Sequence, residues 1–172
     1  MNRYPVRNVY VGNGANQSNL LNHPMVPIRR SMWGPLLWKT MHSFGRVLKE
    51  VKDGALRETL TRETSNLFDL LLRSIPCPSC RNHATQYKMT HRIPNANTQT
   101  NAFEEWAYKF HNEVNRRIQK VMISIDQAKQ LYINVDPKKT LDQYLQSINS
   151  KTRHGINDTD IRKRANMIMS RV

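Results

Sequence analysis

The sequence predicts an all-α protein. Apolar residues recur at steps of three and four after residue 30, and no alternating apolar run is long enough for a strand. Pairs that open helices, such as Cys77-Pro78 and Asp136-Pro137, punctuate the chain. The 172 residues suit one domain with tails, and there is no internal repeat.

Residues 1–30 hold Pro5, Pro24 and Pro27 with no apolar period, so they are expected to be an extended or disordered basic arm. Trp33, Leu36, Leu37, Met41, Phe44, Val47, Leu48 and Val51 mark a first amphipathic helix, expected to end at Asp53 and Gly54. A second, through Leu56, Leu60, Leu67, Phe68 and Leu71, must stop before Pro76. The third starts at Pro78 and runs to about Met89, because proline is tolerated at the first helical position. Residues 90–100 read as a loop. Asn101 with Glu104 resembles a capping box and opens a helix through Phe103, Trp106, Phe110, Val114, Ile118 and Val121. Ser124 with Gln127 marks another start. Asp136-Pro137 marks the next, with Leu141, Tyr144, Leu145 and Ile148 as its buried stripe. After a turn at 154–158 comes a short basic helix with Ile161, Ala165, Ile168 and Met169.

Composition narrows the function. Twenty-seven Lys and Arg against thirteen Asp and Glu give a net charge of +14, which favours acidic partners such as nucleic acid, anionic lipid or a phosphate-bearing cofactor. The cations are scattered over both ends of the chain and form no finger or helix-turn-helix pattern, so nucleic-acid contact is expected to be non-specific at most. No apolar stretch approaches the roughly 18 residues of a membrane span, and no secretory signal is apparent, so a soluble protein in a reducing compartment is expected. Two cysteines cannot form a disulfide scaffold; in that setting such a pair is usually catalytic or metal-binding.

Cys77-Pro78-Ser79-Cys80 is the sharpest feature. Cysteines three apart can close a small disulfide, and a helix N-terminus with Arg81 beside it favours the thiolate. The alternatives are two buried structural cysteines, or a zinc-stabilised binding module that uses Cys77, Cys80, His83 and His91. A thioredoxin-like domain is disfavoured, because a helix rather than a strand precedes the motif.

A second constellation is Gly34, Trp38 and His42, spaced by four on one helical stripe. Glycine admits close approach, tryptophan offers a stacking face and histidine a ring nitrogen, a set that suits a flat heterocycle. An ordinary packed helix carries the same spacing. The third is His111 with Asn115 one turn on, Asn112 beside them and Arg116, Arg117 and Lys120 following. It suits a nucleotide with phosphates, or equally a solvated polar face.

In this order and spacing the three motifs resemble the sulfhydryl oxidases of the Erv and augmenter-of-liver-regeneration (ALR) type. They read Gly-x3-Trp-x3-His (Gly34, Trp38, His42), Cys-x-x-Cys (Cys77, Cys80) and Trp-x4-His-Asn-x-Val-Asn-x4-Lys (Trp106, His111, Asn112, Val114, Asn115, Lys120). The resemblance covers about residues 31–122. It implies a four-helix bundle holding FAD, with 123–172 as a helical extension packed on the same domain. Trp38, His42, Trp106, His111 and Asn115 would surround the adenine and ring system, and Lys120 the charged part. Gly34, Asn112 and Val114 complete the implied cofactor set, with no metal. Cys80 would lie beside the isoalloxazine and Cys77 would meet incoming thiols. The implied activity is an FAD-dependent thiol oxidase that forms disulfide bonds in substrate proteins and passes electrons to O2, giving hydrogen peroxide.

The departures are informative. Cellular members carry a distal shuttle pair and a structural disulfide, and this sequence has neither; Pro35 stands where an arginine is common. Cys77 is therefore expected to meet its substrate, or a separate dithiol relay protein, directly. The minimal cysteine count and Trp33-Gly34-Pro35-x2-Trp38 look most like versions encoded by large DNA viruses that mature in the cytoplasm. That likeness implies host-cytoplasmic assembly sites or the virion as location, and the family implies a homodimer.

Overall fold

The structure is a computed structural model that describes residues 29–95, 99, 101–148 and 156–172. The arm expected over residues 1–30 lies outside these except for Arg29 and Arg30, as do residues 154 and 155 of the expected turn. Among the described residues there are seven α-helices and no strand: α1 (Arg30–Val47), α2 (Gly54–Arg73), α3 (Pro78–Thr90), α4 (Ala102–Arg117), α5 (Ile125–Tyr132), α6 (Pro137–Ser147) and α7 (Asp158–Met169). The fold is all-α, as the periodicity requires.

Helix α1 is the central member. Its apolar face, Trp33, Leu37, Met41 and Phe44, is buried, and α4 and α6 both pack along it. Gly45 sits where α1 crosses α4; a Cβ there would lie 3.0 Å from Glu104 N and from the Phe103 carbonyl carbon, so only glycine lets the two backbones meet. Helix α2 contributes Leu60, Leu67, Phe68 and Leu71 and carries α3 and α7 on its flanks. The Tyr144 hydroxyl of α6 bonds Ser74 Oγ at 2.9 Å, and Ser74 Oγ also donates to the Leu71 carbonyl at 2.8 Å. This polar tie is satisfied inside the core.

Helix ends follow their caps. Asp53 and Gly54 open α2 instead of closing α1: Asp53 accepts from Leu56 N at 2.6 Å, and Gly54 is the first residue of α2. Helix α1 stops at Val47 and runs into a 3₁₀ turn over Leu48–Glu50, whose exit is held by Arg57 Nε donating to the Val51 carbonyl at 2.9 Å. The Asn101–Glu104 capping box does not form. Glu104 is buried and ion-paired with Lys49 on the 3₁₀ turn, while the Asn101 amide turns to Glu105. The Ser124–Gln127 box does form, with Gln127 N to Ser124 Oγ at 3.1 Å and Ser124 N to Gln127 Oε1 at 2.7 Å.

Helix α4 ends at Arg117, short of the expected Val121. Gln119 takes a positive φ of 57°, Lys120 N returns to the Asn115 carbonyl at 2.9 Å, and the chain turns toward α5.

Candidate active site: a disulfide beside a ring-lined cavity

Cys77 and Cys80 are joined as a disulfide, with Cα atoms 5.2 Å apart. Cys77 is the N-cap of α3, and its sulfur accepts from Cys80 N at 3.3 Å and lies 3.3 Å from Ser79 Oγ. A thiolate generated at Cys77 would therefore meet the free N–H and the positive end of the helix dipole, both of which stabilise it. Arg81, expected to lend charge here, donates Nη1 to the Ile75 carbonyl at 2.6 Å and fastens α3 to the segment after α2.

Cys80 stands in the wall of a cavity of about 780 Å³, within the roughly 300–1,000 Å³ common for cofactor sites. The wall also contains Gly34 and Trp38 from α1, His111, Val114 and Asn115 from α4, and Lys120 beyond it. All three sequence motifs thus supply lining residues. Nothing lies within 4 Å of where a Gly34 Cβ would be, so the backbone there is open to close approach. Cys77 is outside this lining, and both cysteines are partly buried.

Trp38 and His111 stack with ring centroids 4.2 Å apart and planes 11° apart. His42, 1% exposed, lies behind the wall; its Nε2 is 3.3 Å from His111 Nδ1 and its ring stacks on Tyr132 at 4.2 Å. Burial, reinforced by the neighbouring His111, lowers the His42 pKa to about 3. Burial first, and the Lys120 charge second, lower that of His111 to about 4. Both imidazoles are neutral at ordinary pH.

Besides His42, two further expected cofactor residues lie outside the lining. Trp106 is buried against Phe68, Tyr87 and Phe110 and donates Nε1 to the His91 carbonyl at 2.8 Å, so it backs the wall without lining it. Asn112 clasps the backbone of Ile123, donating Nδ2 to its carbonyl at 2.8 Å and accepting its N–H at 3.1 Å. It shapes the loop that carries Lys120.

Arg117, one of the cations noted after the third motif, also lines the cavity; Arg30 and Lys39, which add positive charge, and Phe110 and Tyr132, which add rings, were not assigned to a ligand from the sequence. Tyr132 is held by Arg46, which donates Nη1 to its carbonyl and Nη2 to the Val135 carbonyl at 3.4 Å. The available signal was the spacing of Ala128 and Tyr132, one turn apart after a capping box.

The residues of the zinc alternative do not assemble. His83 pairs with Glu113 at 3.7 Å. His91 stacks on Tyr87 at 4.3 Å and bonds Thr90 Oγ1 at 2.9 Å. The sulfurs bond each other, and among the described residues no three or more His, Cys, Asp or Glu converge on a common point. No described helix is long and apolar enough to cross a membrane.

A helical bundle with a Cys-x-x-Cys disulfide at a helix N-terminus, set in the wall of a basic, ring-lined cavity, defines a dithiol-disulfide redox protein with room for a flat cofactor. Residues 35–133 match the Erv1 / Alr family, and the chain belongs to that family. A FAD-linked sulfhydryl oxidase of African swine fever virus (isolate Tick/Malawi/Lil 20-1/1983) is 29% identical over 100 residues, which is 58% of this chain and 79% of the relative. A second, from isolate Pig/Kenya/KEN-50/1950, is 28% identical over the same length. The 088R protein of Frog virus 3 (isolate Goorha) is 31% identical over 115 residues, 67% of this chain and 73% of the relative. No solved structure matches the chain. The matched stretch runs past residue 122 to include α5 and Tyr132.

Proposed function

We propose that this chain is an FAD-dependent thiol oxidase that makes disulfide bonds in substrate proteins through Cys77 and Cys80 and delivers the electrons to O2. The observation that carries this reading is the Cys80 sulfur's place in the wall of the cavity formed by the family's other motifs. The lining fits a flavin nucleotide: the Trp38–His111 stack offers planar surface, Gly34 leaves its backbone open, and Arg30, Lys39, Arg117 and Lys120 match a pyrophosphate. Gly34, Trp38, His111, Val114, Asn115 and Lys120 would touch the cofactor, and His42, Trp106 and Asn112 would hold those residues in place. The unit that binds it, taken from the sequence as 31–122, extends in this reading through α5 because Tyr132 lines the same cavity. Helices α6 and α7 enlarge the bundle.

The chemistry of the chain's own residues follows from the N-terminus of α3. A substrate thiolate attacks Cys77 Sγ, the sulfur of the residue outside the cavity lining, and the Cys77–Cys80 bond breaks with Cys80 leaving as thiolate at the cavity wall. A second substrate thiol then displaces Cys77, whose departure as thiolate is eased by the Cys80 N–H and the helix dipole. The substrate has lost two electrons and two protons and gained an S–S bond, and Cys77 and Cys80 hold the reducing equivalents. FAD, when bound, supplies the two-electron acceptor that restores the protein disulfide, and O2 takes the electrons as hydrogen peroxide.

Partners in this reading are thiol-bearing proteins or a separate dithiol relay protein, with O2. In this reading, which follows from the resemblance carried by the sequence motifs, the chain acts at cytoplasmic assembly sites or in the virion and forms a homodimer. Purified full-length chain should be yellow, with flavin absorption, and should consume oxygen when given a dithiol. A colourless chain that is inert toward dithiols even after incubation with FAD would refute the proposal.

A further inference from the structure

His42 is buried and His111 half-buried, both are neutral, and they are joined by one contact, His42 Nε2 to His111 Nδ1 at 3.3 Å. A neutral pair can share one proton there in two ways. In the first, His42 carries its proton on Nε2 and donates, so His111 Nδ1 accepts and the His111 proton sits on Nε2. In the second, His111 Nδ1–H donates and His42 must carry its proton on Nδ1. That atom is buried and has no hydrogen-bond partner among the described residues. A buried N–H without an acceptor is costlier and rarer than a buried ring nitrogen with an idle lone pair. The groups packed around the pair do not reverse this choice. Tyr132 meets His42 through its ring face, Trp38 meets His111 through its own, and the Lys120 charge opposes a proton added to His111.

We propose that His42 is a positioning residue that sets the tautomer of His111, so that His111 presents Nε2–H as a hydrogen-bond donor to an acceptor atom of the flavin nucleotide in the cavity it lines. The identity of that ligand rests on the function proposed above; the tautomer does not. The arrangement explains why a histidine that does not line the cavity sits one turn beyond Trp38 on the ligand-facing stripe of α1. Tyr132, clamped by Arg46, closes over its far face and stops the ring from turning.

The test is 15N NMR of histidine-labelled full-length chain, with His111 assigned by its loss in His111→Gln, combined with FAD titration of flavin-stripped protein. The long-range 15N–1H pattern should show both His42 and His111 as Nε2–H. His42→Phe keeps a ring against Tyr132 but removes the donor; His111 should then average between tautomers, and the Kd for FAD should rise about tenfold, the scale of one lost hydrogen bond. His42→Gln carries an amide N–H near the Nε2 position and should return the Kd to within about threefold of the parent. A His111 found as Nδ1–H in the parent chain overturns the inference, as does a His42→Gln protein that binds FAD as weakly as His42→Phe. If His42→Phe does not fold, the parent tautomer and the Gln variant still decide. A chain with the expected tautomer that binds no FAD would sink the functional proposal and leave the tautomer coupling standing.

Discussion

Mild acid should destabilise this fold through His42 and His111. Each imidazole titrates near its ordinary 6.5 when the chain is unfolded, but near 3 and 4 in the fold, because burial disfavours the charged ring. Above the unfolded value both states are neutral and the pair contributes nothing to pH dependence. Below it the unfolded chain takes up protons that the folded chain refuses, so stability falls with pH until the folded values are reached. Going from about pH 8 to about pH 5 places the unfolded rings roughly 1.5 units below their pKa, which is about 2 kcal/mol for each and about 4 kcal/mol for the pair. That is a large share of the roughly 5–15 kcal/mol typical of a domain. His83 shifts in the same direction, mainly through burial, and is common to the proteins compared. Urea denaturation at the two pH values measures the loss, and His42→Gln, which removes one titrating ring, should cut it by about 2 kcal/mol. An equal loss in parent and variant would refute the assignment of two desolvated, neutral imidazoles.

Other substitutions test separate parts of the account. Cys77→Ser and Cys80→Ser should each lower dithiol-driven oxygen consumption by about a hundredfold or more, since neither can re-form the protein disulfide. Gly45→Ala should cost about 1–3 kcal/mol in thermal or urea unfolding, because its Cβ meets backbone of α4 at 3.0 Å rather than a side chain that can move aside. Asn112→Ala should cost about 1–3 kcal/mol by stripping the Ile123 backbone of two partners, and should speed amide exchange between Lys120 and Ser124.

The helices were legible because burial here follows a simple period: Trp33, Leu37, Met41 and Phe44 each fall on the inner face of α1. Their ends were less so, for reasons that particular residues show. Asp53-Gly54 fits either a helix stop or a start, and the Leu56 N–H available to the Asp53 carboxylate decides for a start. Glu104 stands at capping-box spacing, yet Lys49, distant in sequence, draws it into the core. The three motifs were readable as a ligand set only through their joint resemblance to the family, each alone leaving a packed helix, structural cysteines or a polar face open; the fold then brings Trp38 and His111 face to face. Trp106 and Asn112 share the third motif with His111, but the His91 carbonyl and the Ile123 backbone claim their polar atoms, and no local pattern announces such distant partners. Tyr132 carries only a helix-spacing signal in the sequence, because it reaches the site through a tertiary clamp, Arg46, that only the folded chain reveals.

Electron transfer from the dithiol into the cavity is the step on which the functional account rests, and an anaerobic dithiol titration followed by visible absorbance tests it most directly. The parent chain should lose its flavin absorption on addition of about one dithiol per bound flavin, whereas Cys80→Ser, loaded with the same flavin, should keep its colour. Equal bleaching of both proteins would contradict the path through Cys80.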